Sequence, residues 1–403
     1  MTLEDTPDDA RVRAEIRAFV DEHAARYGPT RGRIQMHDTA EYTDACREWQ
    51  AVLDTGGWAA PTWPTEHGGR ALSGTQARIV AEEQVRYDVP IGAFSIAVAM
   101  VGPVLMAHGT AAQQQRFLAA IRSGEHIWCQ LFSEPDAGSD LASLRTKAVL
   151  DGDEWVVTGQ KVWTSGARYS DWGILLARTE PGSWRHAGIT YFLVDMRSAG
   201  VEVRPIVQIN RNHHFNEVHL DEVRIPVGHV VGEVGDGWSV ARTTLMAERV
   251  MIGSISVADH VEAIVAAAQE AGVASDPVLR QDLARAHTRA AILRYLGDRV
   301  EIARRSGRRP GSEASVIKLA VSTFMAELGD LAMRVEGNDG MLAGEGDRDN
   351  GYGPMQDLFL GQWASRIGGG TEQIQRNLIG EQVLGLPRDQ RPVRPEADLE
   401  VPT

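Results

Sequence analysis

The hydrophobic period of the chain changes twice, and these changes limit the folds open to it. From residue 1 to about 125 the pattern is helical, and Ser73 and Thr110 stand where they can cap helices. From about Glu125 to Gly235 apolar and polar residues alternate with a period of two, which predicts strands. After Gly235 the helical pattern returns and continues to about Leu384. The order helix, sheet, helix predicts an α+β protein with more than one domain.

The length of 403 residues also exceeds one ordinary hydrophobic core, so two or three domains are expected. We place an N-terminal α-helical domain at 1–124 and a middle β domain, a barrel or sandwich, at 125–235. A C-terminal helical bundle follows at 236–386. The last residues, 387–403, are rich in proline and charge, and we expect a flexible tail there.

The predicted elements follow from caps, turns and periodicity. Asp151-Gly152-Asp153 separates two alternating segments and is a strong hairpin signal. A charge-free run from Val89 to Ala107 is long enough for a membrane span, but prolines and glycines interrupt it, which favours a buried helix or helix pair. The other predictions are helices at 42–56, 73–87, 111–122, 238–271, 277–305, 313–336 and 371–384, and strands at 145–150, 154–159, 173–178, 189–195, 201–207 and 216–223.

Composition excludes several classes of function. The 55 acidic side chains outnumber the 41 Lys and Arg, giving a net charge of −14, which argues against general nucleic-acid binding. Cys46 and Cys129 belong to no metal-binding pattern and are expected to be buried thiols in a reducing compartment. The acidic start of the chain lacks the apolar region of a signal peptide. We expect a cytoplasmic protein without a metal site.

The stretch from Cys129 to Ser165 carries the first functional signal. It joins a Gly/Ser/Asp turn to the hairpin and then to Trp163-Thr164-Ser165. Such a stretch offers backbone N–H groups, hydroxyls and one flat aromatic surface to a planar hydrogen-bonding ligand, and we infer a flavin. Taken singly, Ser133 and Ser165 are ordinary turn residues and Trp163 an ordinary core tryptophan. Their combined order favours the flavin.

The same residues resemble the acyl-CoA dehydrogenase family, whose flavin-binding domain carries Phe132 to Asp140 and Trp163 to Ser165 in this order. The resemblance implies FAD as cofactor and the three-domain arrangement predicted above. It implies that Phe132 and Ser133 bind the pyrimidine edge, that Trp163 packs on the ring system, and that the Ser165 hydroxyl approaches N5. Gly138 permits close backbone approach, and Ser139 is expected near the pyrophosphate or the pantetheine arm of the substrate.

A second block of the family is matched by Ile367 to Arg376. There Ile367, Thr371 and Gln373 are expected to bind FAD, the last two at the pyrophosphate and adenosine. A helix that begins near Thr371 also offers free N–H groups to an anion.

The catalytic base of many relatives is missing from this block, because Gly369 occupies its position. Some relatives carry the base on the first helix of the C-terminal domain, where this chain has Glu248 followed by Arg249. Residues one turn away from Glu248 are mostly apolar, so a raised pKa suited to removing a proton from carbon is expected. The alternative is an interhelical salt bridge for both Glu248 and Arg249. Arg249 and Gly369 are also candidate substrate contacts, Gly369 through its backbone N–H.

The activity implied is α,β-dehydrogenation of an acyl-CoA thioester to the trans-2-enoyl-CoA, as in β-oxidation of fatty acids and other lipids. Electrons are expected to pass to an electron-transferring flavoprotein. Gly369 leaves space beside the α-carbon, which suggests a branched, long or ring-bearing acyl group. Two alternatives share the fold: a flavin-dependent monooxygenase or oxidase, and a non-catalytic subunit of a heteromeric dehydrogenase.

Two elements that relatives use to reach a neighbouring subunit's FAD are altered. The Arg-x-x-Phe-Gly pattern is absent from Ala271 to Asp282, and Gln-x-x-Gly-Gly-x-Gly is replaced by Arg334 to Gly340, which lacks the Gln and one Gly. The chain is therefore expected either in a heterotetramer with a second subunit of the same family, or in a homotetramer with altered adenine contacts.

Overall fold

The computed structural model describes residues 5–28, 39–253, 257–306, 313–342 and 352–388. Two helical regions flank a mixed β-sheet in this part of the chain. This arrangement confirms the predicted α+β architecture.

The N-terminal region is helical, and its capping residues are those predicted. Ser73 and Thr110 accept hydrogen bonds from the backbone N–H groups three residues later, at 3.2 Å each. The third helix ends at Gln84 and not at Tyr87, because the backbone after Gln84 forms a turn. The helices described here are α1 (Pro7–His23), α2 (Ala40–Thr55), α3 (Gly74–Gln84), α4 (Gly102–His108) and α5 (Ala111–Arg122).

Most of the charge-free run is buried helix, as predicted, although Val89 to Phe94 precede the helix. A wide helical turn at Ala97–Val101 leads directly into α4, and Met100, Val104 and Leu105 have no exposed surface. The Trp63 indole donates a hydrogen bond to the Val98 carbonyl at 3.0 Å and covers this segment. Among the described residues no helix is long and apolar enough to cross a membrane.

The middle region is one eight-stranded sheet. The predicted hairpin is present, with Asp151 paired to Glu154 around Gly152. The strand predicted at 201–207 ends at Pro205; the Ile206 N–H still donates a hydrogen bond to the Phe215 carbonyl at 2.8 Å, and the loop begins after it. The strands are β1 (Trp128–Leu131), β2 (Lys147–Asp151), β3 (Glu154–Ser165), β4 (Trp172–Arg178), β5 (Ile189–Asp195), β6 (Val201–Pro205), β7 (Phe215–Pro226) and β8 (Val230–Val231), in the order β6-β7-β3-β2-β4-β5-β8, with β1 parallel to β4.

The C-terminal region is a helical bundle around a core that includes Ile264, Phe324 and Leu328. Within the range predicted at 238–271 the structure describes helix before and after residues 254–256, which lie outside the described part; α10 was not predicted. Of the predicted tail, only Pro387 and Arg388 are among the described residues. The helices are α6 (Gly237–Gly253), α7 (Val257–Glu270), α8 (Pro277–Arg305), α9 (Glu313–Glu336), α10 (Pro354–Ile367) and α11 (Glu372–Leu378), which continues as a wide turn at Ile379–Val383.

Specific contacts join the three regions. The Phe117 ring on α5 meets the indoles of Trp128 and Trp172 edge-on, at centroid distances of 5.3 and 4.8 Å. The loop between β6 and β7 reaches α10, where the Asn210 amide donates a hydrogen bond to the Asp357 carboxylate at 2.9 Å. These contacts fix the loops of the sheet between the two helical regions.

A buried ion pair closes the turn that follows β1. The Lys161 ammonium has no exposed surface and donates hydrogen bonds to the Phe132 carbonyl at 3.0 Å and to the Glu134 carboxylate at 2.8 Å. Glu134 also accepts hydrogen bonds from the backbone N–H groups of Arg145 and Thr146, at 2.6 and 2.9 Å. The pair therefore ties the turn to both strands of the hairpin.

Burial shapes the pKa of each partner. Loss of water disfavours the ammonium more than Glu134 favours it, so the pKa of Lys161 falls to about 8. Burial alone would raise the pKa of Glu134, but the charge of Lys161 and the hydrogen bonds from Lys161, Thr146 and Arg145 outweigh it and lower that pKa. Each charge in this pair is held in the interior mainly by the other, so removing one leaves the other uncompensated.

We expect Lys161→Met to lower the free energy of unfolding by about 3–5 kcal/mol, because it leaves the Glu134 charge buried without its partner. The double variant Glu134→Gln/Lys161→Met should recover part of this loss, since glutamine keeps an acceptor for the two backbone N–H groups. Urea unfolding of the single and double variants measures both effects. Lys147→Met, at an exposed lysine of β2, is the control. Equal stability of Lys161→Met and this control would contradict the interpretation.

Candidate active site

The Trp163 indole stands out from β3 because the strand bulges there. Lys161 pairs with Val218 and Thr164 with Asn216, so two residues of β3 oppose one residue of β7 between these pairs. Trp163 has a φ of 61°, a left-handed conformation that is unusual for a tryptophan. Its side chain is 59% exposed and touches the Phe215 ring edge-on. The indole is therefore not a core side chain, and one of its faces is available to a ligand.

The predicted hydrogen-bonding groups lie on the strands and turn beside this indole. The Ser133 carbonyl accepts a hydrogen bond from the Val162 N–H at 2.9 Å, which brings Phe132 and Ser133 next to the bulge. Phe132 is buried against Tyr191, whereas Ser133 is half-buried. Ser165 is half-buried at the end of β3.

The turn between β1 and β2 is open. Gly138 and Ser139 are both exposed, and a Cβ atom added at Gly138 would meet no protein atom within 4 Å. The protein itself therefore does not require glycine at position 138. The open space is suited to a ligand that approaches the backbone.

The second predicted block forms a glycine loop between α10 and α11. Gly369 and Gly370 both have left-handed backbones, with φ of 63° and 87°. The buried Gln375 amide donates a hydrogen bond to the Gly369 carbonyl at 3.1 Å, and a Cβ atom at Gly370 would lie 2.7 Å from the Gln375 nitrogen. Backbone angles and packing thus both favour glycine in this loop.

The residues around the loop are accessible to different degrees. Thr371 caps α11, and its hydroxyl accepts a hydrogen bond from the Ile374 N–H at 3.2 Å. Gln373 is exposed, and Ile367 is 63% exposed although it is apolar. The exposed apolar side chain and the exposed amide give this end of the bundle a surface that a ligand could cover.

Glu248 lies on α6, and neighbouring residues fix that helix on two sides. Thr244, one turn earlier, is buried and shares a hydrogen bond with the Tyr191 hydroxyl of β5 at 3.1 Å. Thr243 is hydrogen-bonded to the His108 ring of α4 at 2.9 Å. Glu248 itself is half-buried. The side chain of Arg249, a predicted substrate contact, lies outside the described part of the structure.

A buried lysine that we did not single out from the sequence binds the glycine loop from α9, a helix that also packs against α6. Lys318 of α9 has no exposed surface and donates a hydrogen bond to the Gly370 carbonyl at 2.7 Å. Its pKa is lowered, because burial disfavours the ammonium more than the negative charges of Glu372 and Glu248 favour it. The sequence did contain a signal for this buried lysine. Only three of the 41 basic side chains are lysines, and this one follows the apolar pair Val316-Ile317.

The two segments that depart from the family pattern meet within this chain. Arg334, where the pattern has Gln, forms an ion pair with Asp282 at 2.5 Å. Asp282 is the last residue of the 271–282 segment and also pairs with Arg285. These two side chains are thus engaged with each other inside one subunit.

Family models and related proteins match nearly the whole chain. The N-terminal, middle and C-terminal domain models of acyl-CoA dehydrogenase match residues 6–125, 129–223 and 235–384. Acyl-CoA dehydrogenase IpdE1 of Mycobacterium tuberculosis is 42% identical over 387 residues, which cover 94% of this chain and 97% of that protein.

Solved structures give the same result. A structure titled Tcur3481-Tcur3483 steroid ACAD is 30% identical, with a TM-score of 0.82 over 96% of this chain and all of that one. A chain of the ChsE4-ChsE5 complex from Mycobacterium tuberculosis is also 30% identical, with a TM-score of 0.78 over the same shares. With all three of its domains matched and relatives aligned over nearly its whole length, the chain belongs to the acyl-CoA dehydrogenase family, oxidoreductases that act on the CH–CH group of acyl-CoA thioesters.

Proposed function

We propose that the protein is an FAD-dependent acyl-CoA dehydrogenase that uses Glu248 as its catalytic base. The observation that carries this proposal is the position of α9, which packs against α6, the helix of Glu248, and binds the glycine loop through the Lys318 ammonium. Helix α9 therefore joins the helix that carries Glu248 to the loop that carries Gly369. A base on α6, in place of one on the glycine loop, still acts close to the backbone of that loop.

The residues at the site fit FAD. The exposed Trp163 indole offers a flat surface for the ring system, and the open space at Gly138 admits a pyrophosphate close to the backbone. When bound, FAD supplies a two-electron acceptor for the hydride that leaves the β-carbon. The residues proposed to hold it are Phe132, Ser133, Gly138, Ser139, Trp163, Ser165, Ile367, Thr371 and Gln373.

The reaction needs two further groups from this chain. Glu248 removes the α-proton of the thioester, and the Gly369 N–H donates a hydrogen bond to the thioester carbonyl. That hydrogen bond stabilises the negative charge that develops on the carbonyl oxygen as the proton leaves. The left-handed backbone of Gly369 is held by Gln375, so the donor is oriented before substrate binds.

We propose a ring-bearing acyl group as substrate, such as a steroid-derived acyl-CoA. A glycine at position 369 leaves the space beside the α-carbon that a glutamate side chain fills in other members of the family. The 30% identical structure with a TM-score of 0.82 is titled as a steroid enzyme, which supports this class of substrate. Electrons then pass to an electron-transferring flavoprotein, the acceptor that the family implies.

We further propose that the chain works with a second subunit of the same family. Met341 and Leu342, directly after the altered segment at 334–340, are 77% and 66% exposed, which suits a subunit contact. A structural relative comes from a complex of two differently named chains, ChsE4 and ChsE5. A homotetramer is the alternative, and flavin content separates the two.

We expect Trp163→Gly to weaken FAD binding about tenfold while changing the stability of the apoprotein by no more than about 1 kcal/mol. Glycine relieves the left-handed backbone, and the exposed indole contributes little packing. Glu222→Gly, at another exposed residue with positive φ (51°), controls for the backbone effect. FAD titration and thermal unfolding are the measurements. Unchanged FAD affinity would show that the indole does not contact the flavin.

We expect Glu248→Gln to retain FAD and to slow anaerobic bleaching of the flavin by acyl-CoA about 10²- to 10⁴-fold, because the amide cannot accept the α-proton. Stopped-flow absorbance measures the rate. Glu262→Gln, at an exposed glutamate of α7, is the matched control and should bleach as the natural protein does. Bleaching at the natural rate by Glu248→Gln would exclude this residue as the base.

We expect anaerobic bleaching to be faster with ring-bearing acyl-CoA thioesters than with straight-chain ones, because of the space beside Gly369. A panel of straight-chain, branched and steroid-derived thioesters tests this, and a preference for short straight chains would refute the proposed substrate class.

Flavin content per chain, measured on the same preparation, tests the assembly. One FAD per chain in the isolated protein supports a homotetramer, whereas full loading only with a second subunit supports the heteromer.

A further inference from the structure

Lysine is rare in this chain, and most of the few lysines are buried. The sequence has 38 arginines and three lysines, of which Lys147 is exposed and Lys161 and Lys318 have no exposed surface. Arginine is planar and needs room for five donors, whereas lysine is a compact point charge. Lys161 fastens the turn after β1. The position of Lys318 calls for its own explanation, because a buried ammonium is unfavourable unless partners compensate it.

The partners of Lys318 come from three separate elements. Its ammonium donates a hydrogen bond to the Gly370 carbonyl at 2.7 Å in the loop before α11. Negative charge reaches it from Glu372 on α11 and from Glu248 on α6. Glu372 is itself paired with Arg366 at 2.9 Å and lies 4.0 Å from Arg376, so its charge is shared with two arginines.

We propose that Lys318 is a positioning residue that holds the glycine loop and the carboxylate of Glu248 in one arrangement. This inference rests on the function proposed above. Lys318 holds the Gly370 carbonyl and Gln375 holds the Gly369 carbonyl, so the loop that carries the Gly369 N–H is anchored directly after that group. The positive charge of Lys318 lies on α9, which packs against α6, and favours the carboxylate form that Glu248 needs to accept a proton.

Several charged and polar groups surround α6 and the glycine loop. Glu372 of α11 and Glu248 of α6 both exert negative charge on Lys318 of α9, and Arg366 and Arg376 balance Glu372. Other elements also contact α6. The His108 ring of α4 and the Tyr191 hydroxyl of β5 form hydrogen bonds with threonines of this helix. Loss of the Lys318 charge makes protonation of Glu248 easier, so the acidic limb of the pH–rate profile moves to higher pH.

Three variants of Lys318 separate the two roles. Lys318→Met removes both the charge and the hydrogen bond, Lys318→Gln keeps a donor without the charge, and Lys318→Arg keeps the charge in a larger group. Lys147→Met is the matched control at an exposed lysine. The measurements are flavin bleaching by acyl-CoA as a function of pH, the split between kcat and KM, and hydrogen exchange of the peptide that covers Ile367 to Thr371.

We expect Lys318→Met to shift the acidic limb of kcat/KM upward by about one pH unit and to lower kcat/KM about 10- to 100-fold at its optimum. Lys318→Gln should show the same shift with a smaller loss, and Lys318→Arg should lose activity without the shift. Exchange in the loop should be faster in Lys318→Met than in Lys147→Met. A purely structural role would lower activity at every pH without moving the limb.

The outcomes also distinguish this inference from the proposed function. If acyl-CoA bleaches the natural protein and Glu248→Gln does not respond, an unmoved acidic limb in Lys318→Met and Lys318→Gln overturns the positioning role alone. If no acyl-CoA bleaches the natural protein, the proposed function fails first. Loop exchange then still tests the anchor, and equal exchange in Lys318→Met and Lys147→Met overturns it. If the methionine variant does not fold, Lys318→Gln supplies the same comparisons.

Discussion

The buried Glu134–Lys161 ion pair is the interaction on which the sheet side of the site depends. Two opposite charges in the interior are tolerable only when hydrogen bonds satisfy them, and here two backbone N–H groups and the ammonium meet one carboxylate. The ammonium also holds the Phe132 carbonyl, two residues before Glu134. These contacts hold the strand that carries Trp163 and the turn that carries Ser133 together. A planar ligand between them meets a surface that is already formed.

The sequence predicted the elements whose signals are local, and it missed those formed by packing. Helices α8 and α9 and strand β5 begin and end where periodicity and turns predict. Strand β1 was missed, because four residues buried mainly by other elements show no alternation. Helix α10 was missed because its N-cap is glycine and its apolar residues form no clear stripe. The bulge at Trp163 was not predicted either, since it depends on the register with β7.

The same distinction holds for the site. Glu248 could be selected from the sequence because Gly369 leaves the usual base position empty of a carboxylate. Lys318 could not, since a lysine within a helix usually reaches water, and its burial results only from the assembly of α6, α9 and α11. The sequence therefore predicted apolar surroundings for Glu248 but not the positive charge of Lys318. The chemistry of single residues could be predicted from the sequence, whereas the electrostatics of the site depend on elements that are distant along the chain.

The base that we propose on α6 is supported differently from a base on the glycine loop. The His108–Thr243 contact joins α6 to the N-terminal helices, and the Tyr191–Thr244 contact joins it to the sheet. Helix α9, which carries Lys318, packs against α6 and joins it to the C-terminal bundle. The position of the carboxylate therefore depends on the packing of all three regions. In the proposed reaction the loop needs to supply only backbone groups, and because glycine suffices there, the volume that a glutamate side chain would fill is left for the acyl group.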